Sequence, residues 1–213
     1  MKGYILDLDN TLYDENQYLY YVFMDFWKKQ KLDPKIFEDI CHQTLCDQSR
    51  IRSKDTFKTF LELTPIGYTQ EFHNELFKIY ANLQCSLDLY QDAKEFLNFV
   101  SQKKYLVAIL TNGPIEAQKN KIKNLGLTYL TIFYARENGK EYEKPNINAF
   151  QRVLDFFNLS ANQCCMIGDN PHTDIYGANQ IGITPIWLQR GYAKGMECPI
   201  NVKRIQKLTE IMQ

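Results

Sequence analysis

The chain has no surplus of charge of either sign: Lys plus Arg number 25 and Asp plus Glu 25, for a formal net charge of zero. Wrapping nucleic acid requires a basic face, and neither an excess nor a basic tail supplies one, so no nucleic-acid partner is expected. No apolar run approaches the roughly 20 residues of a membrane helix, so no membrane association is expected. The cysteines Cys41, Cys46, Cys85, Cys164, Cys165 and Cys198 form no CxxC pair and no zinc spacing. His42, His73 and His172 also lack ligand spacing. Cys164 and Cys165 lie in an apolar, strand-like run and read as reduced core residues. The first strand begins near Gly3 and leaves no room for a secretory leader. With the cysteine pattern, this leads us to expect a reducing, cytoplasmic location. There is no internal repeat and no low-complexity segment.

What is present is a change of texture along the chain. Residues 3–8 read as a buried strand. After Asp14, Leu19, Val22, Phe23 and Phe26 follow helical spacing. Asp33-Pro34 reads as a helix cap followed by proline at the first helical position. From there to about Ala81 the chain predicts several helices and no convincing strand, with Phe72, Leu76, Ile79 and Leu83 as one stripe, and the texture changes after about Leu87. Beyond it, strands and helices alternate. Strands are expected at 105–110, 130–134, 164–167 and 183–188. Helices are expected around Ala93–Val100, Gln118–Leu125, Ile147–Phe157, 172–180 and 202–212. Alternation of this kind means a parallel sheet covered on both faces. The expected fold is α/β: a doubly wound, Rossmann-like core of residues 1–13 and 88–213, interrupted by an all-helical insert of residues 14–87.

The first strand ends in Asp7-Leu8-Asp9-Asn10-Thr11. In a strand that ran on, Asp7 and Asp9 would share a face. Two such carboxylates ask for a metal, a shared proton, or both. Four further polar signals fall at the ends of expected strands or in the loops after them: Thr111-Asn112-Gly113, Lys144-Pro145, Gly168-Asp169 and Asp174. Each alone reads as an ordinary turn, cap or solvated loop. Together they converge where open α/β sheets bind ligands. Carboxylates without His or Cys suit magnesium. Lysine with hydroxyl, amide and backbone N–H donors suits a phosphate. A hard cation, a phosphate pocket and a nucleophile candidate imply phosphoryl transfer.

DLDNTLYD, TNG, KP and GDNPHTD, in this order, resemble the four motifs of the haloacid dehalogenase superfamily, and the helical insert resembles its cap. The likeness covers essentially the whole chain and is nearest to the small-molecule phosphatases of the superfamily. It implies that Asp7 is a nucleophile forming an aspartyl-phosphate and that Asp9 is the acid and base. It implies Mg2+ held by Asp7, Asp169 and the backbone carbonyl of Asp9. Thr111, Asn112 and Gly113 would hold the phosphate. Lys144 would pair with Asp7 and the phosphoryl oxygens, and Asp174 would orient Lys144 or water on the metal.

The expected activity is hydrolysis of small phosphomonoesters, nucleoside monophosphates or sugar phosphates, with a small-molecule phosphate ester as the partner and the oligomeric state left open. Asp9 argues against a dehalogenase resembling the founding members, which lack that acid. A phosphosugar mutase is the alternative, although mutases commonly open the fourth motif with Glu-Asp and this chain has Gly168-Asp169. A non-catalytic phosphate-binding module is a third reading. For the leaving group the insert offers Tyr13, the aromatics of Tyr18–Phe23, and Arg50, Arg52 and Lys54. The aromatics read first as insert core and the basic cluster as a solvated face.

Overall fold

The computed structural model describes residues 2–212. Among them six strands form one sheet in the order β3-β2-β1-β4-β5-β6, every neighbouring pair parallel. The strands are β1 (Gly3–Leu6), β2 (Leu106–Thr111), β3 (Thr131–Tyr134), β4 (Cys164–Gly168), β5 (Thr184–Leu188) and β6 (Lys203–Ile205). β1 lies at the centre: Leu6 registers with Ile109 on one side and Ile167 on the other. β1 and β4 are buried along their whole length, as continuous apolar runs of a parallel sheet must be.

Helices cover both faces. On one side α8 (Ile147–Phe157) sets Phe150, Val153 and Leu154 against Ile5, Ala108 and Met166. On the other, α6 (Gln91–Gln102) sets Phe96 and Leu97 against Tyr4 and Leu6. α7 (Ile115–Asn124) follows β2, and α9 (Tyr176–Gln180) follows β4 after one π-helical turn, Pro171–Ile175.

Between β1 and β2 the chain runs through α1 (Glu15–Lys29), α2 (Phe37–Leu45), α3 (Asp47–Arg52), α4 (Thr56–Leu63) and α5 (Gln70–Asn82). Asp14 caps α1 by accepting from the Asn16 amide. The stripe Leu19, Val22, Phe23 and Phe26 is buried, and the Phe23 ring stacks on Phe60 of α4 at 3.9 Å between centroids. We propose residues 14–87 as one unit. Tyr13 and Leu89 form an antiparallel bridge where the chain leaves the sheet region and returns, which supports that division. One apolar cluster runs without a break from Leu6 and Phe96 through Tyr13 into Tyr18 and Phe60.

Two expectations are corrected. Residues 202–212 are not a helix: Lys203–Ile205 pair with β5 as an edge strand, and Leu208–Ile211 form a short 3-10 turn. Only Ile205 and Leu208 are buried there, too few for a helical stripe. Arg50 is not on a solvated face; it is buried, whereas Arg52 and Lys54 are exposed.

Candidate active site

β1 stops at Leu6, and the backbone then turns through Asn10, a left-handed residue at φ 55°. The strand does not run on, and the side chains of Asp7 and Asp9 part to different partners. Both border the same crevice at the C-terminal edge of the sheet, but their carboxylates have different neighbours.

Asp7 faces Lys144, which α8's entry loop carries back across the sheet edge. The Lys144 ammonium stands 2.5 Å from Asp7 Oδ1 and 2.6 Å from Asp174 Oδ1. Asn112 holds that loop from both directions: its side-chain oxygen accepts from the Lys144 amide at 3.0 Å, and its side-chain NH2 donates to the Lys144 carbonyl at 2.9 Å. Asp169 completes the group from the end of β4, where its carbonyl accepts from the Trp187 indole at 2.7 Å.

Asp7, Asp169 and Asp174 are all buried, and one carboxylate oxygen of each lies within 4.8 Å of the others. Like charges about 4 Å apart repel by roughly 4 kcal/mol per pair at an effective dielectric of 20. With all three ionised, one ammonium against three carboxylates would leave a buried surplus of two negative charges. Burial, then the nearby acids, raise the Asp7 carboxyl to about 7 even though Lys144 opposes the rise. Burial, Asp7 and Asp174 likewise hold Asp169 well above the ordinary carboxylate range. A divalent cation cancels that surplus, and an all-oxygen donor set of this kind suits Mg2+. The residues present therefore fit the metal that the motifs imply.

Asp9 belongs to a second cluster. Its Oδ1 accepts from the Tyr13 hydroxyl at 2.6 Å and from Lys121 at 2.8 Å; its Oδ2 accepts from the Gln118 side-chain NH2 at 2.8 Å. Gln118 also reaches Thr111 Oγ1 at 2.5 Å and the Asn112 carbonyl at 2.9 Å, tying the Thr111-Asn112-Gly113 turn to α7. Lys121 is fully buried, 2.6 Å from the Tyr80 hydroxyl and 3.6 Å from Glu15. Burial works against its charge, but Asp9, Tyr80 and Glu15 prevail and hold its pKa above the ordinary lysine value.

Glu15 in turn takes Arg50 of α3 at 2.5 Å, and the Arg50 guanidinium lies 4.6 Å over the Tyr192 ring. Arg50 thus bridges the insert to the loop after β5. Sequence reasoning missed Gln118, Lys121, Tyr80, Glu15 and Tyr192. The one available signal was Gln118 and Lys121, three residues apart and so on one face of the helix that follows TNG.

Beside the crevice, with Glu15 common to both, opens a cavity of about 330 Å³ between insert and sheet. Arg50, Lys54 and Arg136 line it together with Phe57, Phe77 and Tyr80. Tyr13 and Tyr18 are fully buried and do not line it.

The haloacid dehalogenase-like hydrolases match the chain over residues 4–188. The chain is 28% identical to a phosphoserine phosphatase of Thermus thermophilus over 129 residues, which are 61% of this chain and 52% of that one. It is also 28% identical to a glyceraldehyde 3-phosphate phosphatase of Pyrococcus furiosus over 123 residues, 57% of this chain and 50% of that one. The chain thus spans about half the length of these curated relatives. Among solved structures, the HAD-hydrolase YfnB of Bacillus subtilis, bound to magnesium, superposes with a TM-score of 0.74 at 20% identity, covering 99% of this chain and 96% of that one. That likeness is one of fold. No helix among the described residues is long and apolar enough to cross a membrane.

Proposed function

The chain belongs to the haloacid dehalogenase-like hydrolases, and from that premise we propose that it is a magnesium-dependent phosphatase of small phosphomonoesters, working through an aspartyl-phosphate on Asp7. The observation that carries this reading is the cluster of three buried carboxylates, Asp7, Asp169 and Asp174, around the single ammonium of Lys144 at the end of the central strand.

In the proposed reaction Asp7 attacks phosphorus. A bond forms between its carboxylate and phosphorus, the ester P–O bond breaks, and Asp9 gives a proton to the departing oxygen. Water then attacks the aspartyl-phosphate and loses its proton to Asp9. Inorganic phosphate leaves and Asp7 is regenerated. Lys144, already on Asp7 Oδ1, stabilises charge as it moves onto the phosphoryl oxygens. Thr111, Asn112 and the Gly113 amide hold those oxygens. The carboxylates of Asp7 and Asp169 with the Asp9 carbonyl would hold Mg2+, and Asp174 keeps Lys144 in place. When bound, the cation offsets the repulsion between an anionic nucleophile and an anionic ester.

The 330 Å³ cavity is the proposed seat of the leaving group. Its size lies at the small end of ligand sites, which suits a short organic acid or sugar. Its lining sets Arg50, Lys54 and Arg136 against Glu15 and Asp55; Arg50 and Arg136 are already paired with Glu15 and Glu143, so Lys54 is the charge left to favour an anionic leaving group. Phosphate release from phosphoserine, phosphoglycolate, triose phosphates, nucleoside monophosphates and p-nitrophenyl phosphate tests the reading, with magnesium and with chelator. Release should require magnesium and vanish in Asp7→Asn. Wild-type turnover by that variant would refute the assigned nucleophile.

A further inference from the structure

The reading of Asp9 as acid and base, on which this inference rests, leaves open what aims its carboxyl. An ionised carboxylate offers about four lone-pair sites, two on each oxygen. In this protein three are taken. Tyr13 and Lys121 both donate to Oδ1, and Gln118 donates to Oδ2. Oδ1 is therefore saturated, whereas Oδ2 has only the Gln118 NH2, whose two hydrogens also face Thr111 Oγ1 and the Asn112 carbonyl, and so keeps at least one free site. From this geometry we infer that Lys121, with Tyr13, is a positioning residue of the reaction: it closes Oδ1 to protons and makes Oδ2 the atom that delivers and recovers the proton.

Lys121 is suited to that task. It is fully buried and emerges from α7, a helix that follows directly on the phosphate-binding turn. Its three N–H donors face Asp9, the Tyr80 hydroxyl of α5 and Glu15 of α1. The Tyr80 and Tyr18 rings lie 4.8 and 5.3 Å from its nitrogen and add two cation–π contacts. Two of its three polar partners belong to the helical insert, and the third is the acid. Asp9 is therefore aimed by a lysine that the insert holds still. The aim of the proton depends on α1 and α5 being seated against α7. General acid–base catalysis requires geometry before acidity, so a misaimed Oδ2 loses rate even where its proton is available.

The test separates proton delivery from everything else by the leaving group. The p-nitrophenolate of p-nitrophenyl phosphate departs without a proton at neutral pH; the alkoxide of an alkyl phosphomonoester does not. Steady-state kinetics are run on both esters with magnesium for the wild type, Lys121→Met, Lys121→Arg and Tyr13→Phe, each with its thermal midpoint. For Lys121→Met, kcat on the alkyl ester should fall about a hundredfold and on p-nitrophenyl phosphate less than about tenfold, with KM little changed. Lys121→Arg should recover part of the loss. Tyr13→Phe, which removes one hydroxyl and keeps the ring, should move in the same direction by less, and it carries the test where Lys121→Met fails to fold. Equal losses on the two esters in the folded variants, or no loss on the alkyl ester, would overturn the role given to Lys121. A wild-type protein that hydrolyses neither ester would instead sink the phosphatase reading itself.

Discussion

The carboxylate of Asp174 lies flat against Gly168, so that a β-carbon on the glycine would collide with it. Gly168 is the last residue of β4, and the amide of Asn170 donates to Asp174 Oδ2 at 3.1 Å. The glycine is thus the reason that Asp174 can reach Lys144. Gly168→Ala should push Asp174 off Lys144 at an overpacking cost of about 1–3 kcal/mol. We expect kcat to fall at least about tenfold while the protein still folds, since one misplaced charge is enough to disturb an oriented site. Kinetics with a thermal midpoint would check this; unchanged kcat would mean that the Asp174–Lys144 contact is idle.

Magnesium should stabilise the protein more as pH rises. In the metal-free protein Asp7 has its carboxyl raised to about 7 by burial first and by its acidic neighbours second. A raised group contributes stability that is complete below its unfolded value, about 4, and is lost as pH climbs through 7. The metal-free protein should therefore melt lower at pH 8 than at pH 5.5. Added magnesium compensates the ionised form, so its stabilisation should be large at pH 8 and small at pH 5.5. Thermal melts at both values, with magnesium and with chelator, measure the difference. A magnesium effect that did not grow with pH would contradict the assignment of these acids as its seat.

The Glu15–Arg50 pair carries the opposite pH signature. Burial pushes the Glu15 carboxyl up, but Arg50 and Lys121 overcome it and hold it at about 2. Its contribution is present above the unfolded value, about 4.5, and is lost as pH falls towards 2. Arg50→Met removes one partner of a buried pair and should cost about 3–5 kcal/mol in urea unfolding. It should also flatten the acid limb of the stability curve between pH 4.5 and 2, because Glu15 then titrates closer to its ordinary range. An acid limb as steep as that of the wild type would sink this account.

Lys54 is exposed at the rim of the 330 Å³ cavity. If the cavity seats an anionic leaving group, Lys54→Glu should raise KM about tenfold for phosphoglycolate or phosphoserine, with kcat nearly unchanged, since a rim charge acts mainly on encounter and binding. KM for p-nitrophenyl phosphate should change far less. Equal shifts for all substrates would remove Lys54 from the specificity of the cavity.

The sheet was legible because each of its strands, β6 apart, announces itself as an apolar run with a polar residue at its end. Asp7, Thr111 and Asp169 could be found for the same reason, and Lys144 because it lies in the loop that follows β3: parallel strands deliver their ends and the loops after them to one edge. β6 was not, because three residues with one buried side chain carry no periodicity. Lys121 was hidden for a different reason. In sequence it belongs to IEAQKNKIKN, a segment whose lysines at 119, 121 and 123 read alike. Only the packing of α1 and α5 against α7 decides that Lys119 is exposed and Lys121 buried. Arg50 misled in the same way: its partners Glu15 and Tyr192 lie far from it along the chain, and no local pattern reports such a pair.

The position of β1 has a consequence for how the molecule comes into being. Its two neighbours in the sheet, β2 and β4, both lie beyond the whole insert, β2 across about half the chain and β4 across about three quarters of it, with Leu6 against Ile109 and Ile167. On the ribosome the strand carrying Asp7 emerges before the other strands of the sheet and has both its neighbours only once β4 has followed. Contacts of such sequence separation are slow to form and leave an apolar strand unpaired meanwhile. The insert's helices, whose contacts are local, can fold in that interval. Each nascent molecule would then assemble its catalytic edge only after the part that covers it.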